Sequence, residues 1–217
     1  MENRLTQRFA IFLAFVVIMA LNGCSMGGDE RPQAAQATPQ PHLVDLFYAT
    51  DRAADADGDL YFSGTRGDLS FGIAQISIPP DHVMGEHEEP SLLKLEWSPE
   101  EDKHINVRYV LKQNREAFIS RLGRAVEDSP DNKLMVFVHG YNEEFPDTSR
   151  RVAQFADDLK FSGPVVLFSW PSQGGLTGYT VDETNAEWAQ AHFVELMSDL
   201  LERVPVHSIY LVGHSMG

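Results

Sequence analysis

Residues 209–217 read Ile209-Tyr210-Leu211-Val212-Gly213-His214-Ser215-Met216-Gly217. The apolar run from Ile209 to Val212 is the signature of a short strand buried on both faces of a sheet. Gly213, Ser215 and Gly217 follow at once, in the spacing G-x-S-x-G. A serine that must project from the end of a strand needs a sharp turn, and glycines two residues to either side keep Cβ atoms out of a turn too tight to hold them. The next backbone N–H, on Met216, then points to where a carbonyl oxygen would become an oxyanion. Ser215 is therefore the candidate nucleophile and Met216 a candidate backbone donor. The competing reading is a glycine-rich turn after a core strand.

Working back along the chain, the same buried-strand pattern recurs at Leu134 to Val138 and at Val165 to Phe168. Between these two runs, Val152, Phe155, Ala156 and Leu159 mark a helix entered at Pro146-Asp147 and closed at Gly163. Trp188, Phe193, Leu196, Met197, Leu200 and Val204 line a longer helix, with Asp182 expected as its N-cap. Strand, helix, strand, helix, strand with short connections predicts an α/β fold: a mostly parallel sheet flanked by helices, with right-handed crossovers. Further upstream, Val44 to Ala49, Leu69 to Ile78 and Ile105 to Leu111 read as strands, and Asn114 to Val126 as a helix. Ligands bind such sheets beyond the carboxyl ends of the strands. The loops after Val138, Phe168 and Val212 should therefore carry the function.

The loop after Val138 begins His139-Gly140-Tyr141, a His-Gly pair at a strand's end, where hydrolases with a nucleophile elbow supply a second oxyanion donor. That donor would be the backbone N–H of Tyr141. The sequence resembles the α/β-hydrolases, and within them a bacterial branch of esterase/lipase-like proteins. The stretches that carry the resemblance are Leu46-Phe47-Tyr48-Ala49-Thr50-Asp51-Arg52, Val136-Phe137-Val138-His139-Gly140-Tyr141-Asn142, Phe168-Ser169-Trp170-Pro171-Ser172, Tyr179 with Asp182 and Asn185, and Gly213-His214-Ser215-Met216-Gly217. It runs from about Leu43 to Gly217. The resemblance implies a Ser-Asp-His triad, an ester-type substrate, and no metal or organic cofactor. Ser215 is the one triad member it places on this sequence. In the order of that family the acid and the base follow the serine, which disfavours His139 as base and Asp182 as acid. His214, inside the elbow, is expected to point elsewhere. His139, Gly140, Trp170 and Ser172 are expected around the pocket, a plain loop being the alternative for Ser172. On the same order, the triad acid and histidine would lie beyond Gly217, so the 217 residues are expected to be a fragment, inactive and poorly folded alone, with an uncovered sheet edge after Val212.

The N-terminus reads as an address. Arg4 and Arg8 precede an unbroken apolar run from Phe9 to Leu21. That is too short for a membrane-spanning helix, which needs about 20 residues, and fits the core of a secretory signal. Leu21-Asn22-Gly23-Cys24 resembles the lipobox of bacterial lipoproteins, in which the cysteine is acylated and becomes the mature N-terminus. Cys24, the single cysteine, also rules out an intramolecular disulfide framework or a zinc site of several thiolates. Residues 1–23 are thus read as a signal peptide, 24–42 as a flexible tether rich in Gly, Ala, Gln and Pro, and 43–217 as the α/β domain. By resemblance, Ser25 after the cysteine directs the protein to the outer membrane, facing the periplasm. A plain secretory signal and an uncleaved anchor are the alternatives.

The formal net charge is −15, and affinity for nucleic acid comes mainly from Lys and Arg, so a nucleic-acid partner is not expected. Two acidic clusters invite comparison with metal sites. Asp55-Ala56-Asp57-Gly58-Asp59 fails the calcium-loop pattern, because Ala53 and Gly64 would fall on ligand positions. His82, Glu86, His87, Glu88 and Glu89 lack the spacing of a metalloprotease helix. The expectation is an envelope-anchored serine hydrolase of carboxylic esters. A non-catalytic binding module on the same fold, or an acyltransferase, are the rivals.

Overall fold

Residues 133–138, KLMVFV, form a strand in which Leu134 to Phe137 are all buried, as expected for a strand covered on both faces. It is β4 in a six-stranded sheet of the computed structural model, which describes residues 40–55, 61–85, 103–173 and 178–217. The other strands are β1 (His42–Ala54), β2 (Phe62–Ile78), β3 (Asn106–Gln113), β5 (Val165–Ser169) and β6 (Ser208–Gly213). The helices are α1 (Arg115–Glu127), α2 (Phe145–Asp158) and α3 (Tyr179–Arg203). The signal peptide, Cys24 and most of the tether lie outside the described residues. So do Ala56–Asp59 and Glu86–Glu89 of the two acidic clusters. β1 begins at His42, the last residue assigned to the tether.

The strand order is β3-β2-β1-β5-β4-β6. β1 runs parallel to β5, and β4 parallel to both β5 and β6, while β2 and β3 add antiparallel strands at one side. Two apolar layers result. Phe47, Ala49, Phe71, Leu134, Val136, Val166 and Phe168 face α1 and α3. Leu46, Tyr48, Met135, Phe137, Val165 and Leu167 face α2 across the opposite surface. Alternate residues of each strand supply the two layers, which is why the parallel strands read as unbroken apolar runs.

The register settles where the functional loops emerge. Thr50 lies opposite Ser169, Val138 opposite Phe168, and Val138 opposite Gly213. The loops that follow β4, β5 and β6 thus leave from one edge of the sheet, beside the end of β1.

Three boundaries differ from the sequence expectation. β1 and β2 are far longer than their apolar runs, because Thr50, Asp51 and Arg52 continue β1 as buried polar residues. Register shifts around Arg52 mark bulges there. α3 starts three residues before Asp182: Gly178 is the N-cap, and Asp182 sits in the first turn with its carboxylate committed elsewhere. Gly163 does not close α2, which ends at Asp158 and turns off through Lys160 at φ 49°. Gly163 serves close approach instead, since a Cβ there would lie 2.3 Å from the Lys133 carbonyl oxygen.

Candidate active site

β6 delivers Ser215 into a tight turn. Its φ is 55°, in the left-handed region that costs a side-chain-bearing residue free energy and clusters at functional sites. The glycines around it are required by contact. A Cβ on Gly213 would lie 2.8 Å from the Gly217 carbonyl oxygen, and one on Gly217 would lie 2.3 Å from the Val138 carbonyl oxygen. The turn is tied to β4 through His214 N–H, which donates to the Val138 carbonyl at 3.0 Å. Ser215 itself is exposed. The arrangement is a strand-to-turn elbow with a presented hydroxyl.

The loop after β4 leans directly on this elbow. A Cβ on Gly140 would lie 2.6 Å from the Ser215 Cβ and 2.6 Å from the His214 carbonyl oxygen, so only glycine allows the approach. Two residues on, Asn142 has φ 60°, a conformation that Asn tolerates better than most residues. The backbone thereby changes direction within the loop.

What holds that loop is a buried polar assembly made from the motif stretches. The Asp182 carboxylate is fully buried and accepts from Ser172 Oγ at 2.6 Å, Gln173 N at 2.9 Å and Asn142 N at 3.2 Å. Ser172 Oγ in turn accepts from Glu143 N at 3.0 Å. On the other side, the Arg52 guanidinium donates to the carbonyls of Glu143 at 2.6 Å and Ser172 at 3.1 Å, and to Ser169 Oγ at 2.9 Å. Arg52 is 2% exposed and has no ion-pair partner among the described residues. Burial lowers its pKa to about 10, against the favourable fields of Asp51 and Asp182. Thr50 Oγ1 donates to the Ser169 carbonyl and accepts from Arg52 N, which fixes the strand ends to one another. Glu143 completes the anchoring through an ion pair with Arg151 of α2. Its carboxyl pKa is raised by burial, with the Arg151 charge opposing.

His139 belongs to the same assembly. Its ring stacks on Trp170 at 4.7 Å between centroids, and Trp170 Nε1 donates to the His139 carbonyl at 2.8 Å. His139 Nδ1 lies 2.8 Å from the Gly140 carbonyl oxygen, and Nε2 lies 3.3 Å from Arg52 Nη2 and 3.0 Å from the Trp170 carbonyl oxygen. A proton on Nδ1 satisfies Gly140 and leaves Nε2 to accept from Arg52. Burial first, and the Arg52 charge second, push its pKa down to about 3. A neutral ring with both nitrogens engaged has no role as general base. Its work is to brace the loop.

Of the residues read from sequence as pocket-forming, Gly140 meets the elbow directly. Trp170 borders a cavity of about 610 Å³ alongside it, shared with Val138, Phe168, Phe193 and Met216. His139 and Ser172 are buried at 1% exposure each and hold backbone. Tyr141, whose N–H was read as an oxyanion donor, sits between Gly140 and Asn142, its ring edge-on to Tyr179 at 5.4 Å. Sequence reasoning gave Arg52 and Asn185 no role beyond the resemblance. Asn185 donates to the Pro171 carbonyl and accepts from Arg66, whose guanidinium lies over Trp188. The signal for Arg52 is the polar triplet Thr50-Asp51-Arg52 that follows the apolar strand run ending at Ala49.

The comparisons with known proteins agree with this architecture. Residues 114–217 match a family described as "Alpha/beta hydrolase of unknown function (DUF900)". An esterase/lipase-named protein of Mycoplasma genitalium is 29% identical over 84 residues, 39% of this chain. The match covers 29% of that relative's length. No solved structure is a significant match. Residues 114–217, which carry the elbow, the loop it leans on and the parallel strands between them, are thus similar to an α/β-hydrolase family.

Proposed function

We propose that the protein is a serine hydrolase of carboxylic esters, with Ser215 as nucleophile, held at the bacterial cell envelope by a lipid on Cys24. The observation that carries the reading is Ser215 in the left-handed region on the turn after β6, with Gly140 so near that a Cβ there would lie 2.6 Å from the Ser215 Cβ. Strain of this kind persists only when its surroundings enforce it, and here the enforcing contacts come from the loop that would stabilise an oxyanion.

In the proposed reaction, Ser215 Oγ loses its proton to a histidine and attacks the acyl carbon, forming a tetrahedral oxyanion. The backbone N–H groups of Tyr141 and Met216 donate to that oxygen. Collapse expels the alcohol, protonated by the histidine, and leaves an acyl-serine. Water, deprotonated by the same histidine, then attacks the ester and frees the acid. His139 is not that histidine, because its ring is neutral, buried and engaged at both nitrogens. The family order places base and acid after the nucleophile. The name of the Mycoplasma relative supports an ester as the substrate class.

A fluorophosphonate probe tests the reading, since it reacts only with an activated serine. The intact protein should be labelled, and Ser215→Ala should abolish the label. Absence of Ser215-dependent labelling, with ester turnover also absent, would leave a binding module on a hydrolase fold and overturn the proposal.

A further inference from the structure

The loop 139–143 is gripped by two opposite buried charges that do not touch each other. Asp182 takes backbone amides, those of Asn142 and Gln173. Arg52 takes backbone carbonyls, those of Glu143 and Ser172. Each charge therefore spans the same two loops, one following β4 and the other following β5. Ser172 closes the figure, donating to Asp182 and accepting from the Glu143 amide.

Burying a guanidinium and a carboxylate without direct pairing is expensive, and a fold keeps such groups only where their hydrogen bonds are filled. Here they are filled by main chain of the loops after β4 and β5, the first of which abuts Ser215, together with the side chains of Ser169, Ser172 and His139. Neutral side chains of similar size could pack the space; what they could not do is hold the Ser172–Gln173 peptide by both its N–H and its carbonyl while also binding the Asn142 amide and the Glu143 carbonyl of the neighbouring loop. The amides of Asn142 and Glu143 are committed to this grip, which leaves the Gly140–Tyr141 end of the loop facing the elbow.

We propose that Arg52 and Asp182 are positioning residues for the oxyanion donor: a charge clamp that sets the height and tilt of the Gly140–Tyr141 peptide over Ser215. This inference rests on the hydrolase reading above for its catalytic consequence, but the clamp itself can be tested without turnover. Displacing one oxyanion donor lowers kcat by about 10²–10³-fold in serine hydrolases, which sets the expected scale.

The test uses the intact protein and Asp182→Asn, in which an NH2 replaces one carboxylate oxygen, sets a donor against either the Gln173 or the Asn142 amide, and removes the charge. Ser172→Ala is the milder partner, removing one hydroxyl from the figure. Hydrogen exchange of the segments containing residues 139–143 and 171–173 is measured first. Exchange in both segments should accelerate in Asp182→Asn, with α1 unchanged, whereas Glu202→Gln at the exposed C-terminal end of α3 should exchange like the wild type.

For catalysis, kcat for a soluble ester should fall about 10²-fold in Asp182→Asn and about 10-fold in Ser172→Ala, with KM nearly constant. The inhibition constant of an alkyl boronic acid, which forms a tetrahedral adduct on the serine, should rise by the same factor as kcat/KM falls. A merely structural role would lower the active fraction and leave that constant alone. Unchanged exchange in both variants overturns the clamp, as does a loss of rate without a matching loss of boronate affinity. Should the wild type itself show no Ser215-dependent labelling, the hydrolase reading fails, and the exchange measurement alone decides the clamp. Should Asp182→Asn not fold, Ser172→Ala carries both measurements.

Discussion

His139 shows how a residue that sequence offers as a catalytic base is spent on structure. Stacked on Trp170 and facing Arg52, it has a pKa of about 3 against an ordinary value of 6.5. The unfolded chain binds a proton at this ring below about pH 6.5, and the folded protein refuses it until about pH 3. Between those values the unfolded state holds more protons, so stability falls as pH falls. The loss from this one group is on the order of 1 kcal/mol per pH unit across the window. His139→Gln keeps a donor and an acceptor but cannot titrate. Urea midpoints of wild type and His139→Gln, measured from pH 7 to pH 4, should converge on acidification. Asp51 and Glu143, raised by burial, bias the slope the other way and cancel in the comparison. Parallel pH profiles for the two proteins would show that His139 accepts a proton in the folded state.

At the scale of elements, α1 separates packing from capping. Phe118 is fully buried between Phe47 and Phe71, with ring centroids at 5.8 and 5.0 Å. Asn114, the N-cap, accepts from Ala117 N at 2.8 Å and is exposed. Phe118→Ala should cost about 3–5 kcal/mol, through lost burial and the cavity left behind. Asn114→Ala should cost about 1 kcal/mol, through one unsatisfied amide. Equilibrium denaturation of both variants checks the ranking, and comparable losses would refute it. α1 was legible in sequence for the same reason: its apolar residues recur at helical spacing and its cap is a typical one. The parallel strands were equally plain, because both of their faces are covered. β1 and β2 were not: the β1 extension is polar and is buried by partners more than 100 positions away, as when Arg52 reaches Ser169 and Ser172, and the β2 extension is a strand because it pairs with that end of β1. Asp182 was misplaced as a cap on the same account. Local pattern identifies an acidic residue near a helix start, and only the fold brings two distant loops to its carboxylate. Ser215 was readable because elbow chemistry is written in five consecutive residues. The clamp is written in residues 130 positions apart.

Over the whole molecule, charge is distributed very unevenly. Residues 1–42 contain three basic side chains, Arg4, Arg8 and Arg31, and three acidic ones, Glu2, Asp29 and Glu30. The entire net charge of −15 therefore falls on residues 43–217. A domain so acidic is repelled by anionic lipid headgroups, and it gains nothing from the attraction that recruits basic proteins to membranes. If the protein is held at the envelope as proposed, the attachment must be hydrophobic and confined to the N-terminus, where each buried methylene of an acyl chain contributes about 0.8 kcal/mol. Two measurements on the protein expressed in a bacterial host follow from this. Wild type should incorporate labelled palmitate and stay with the membrane fraction in high salt, because screening weakens charge attraction and leaves apolar burial intact. Cys24→Ser should lose the label and move to the soluble fraction with its fold unchanged. Release of the wild type by salt alone would mean that charge holds it. An unlabelled wild type, or a Cys24→Ser protein that stays with the membrane, would remove the lipid from the account.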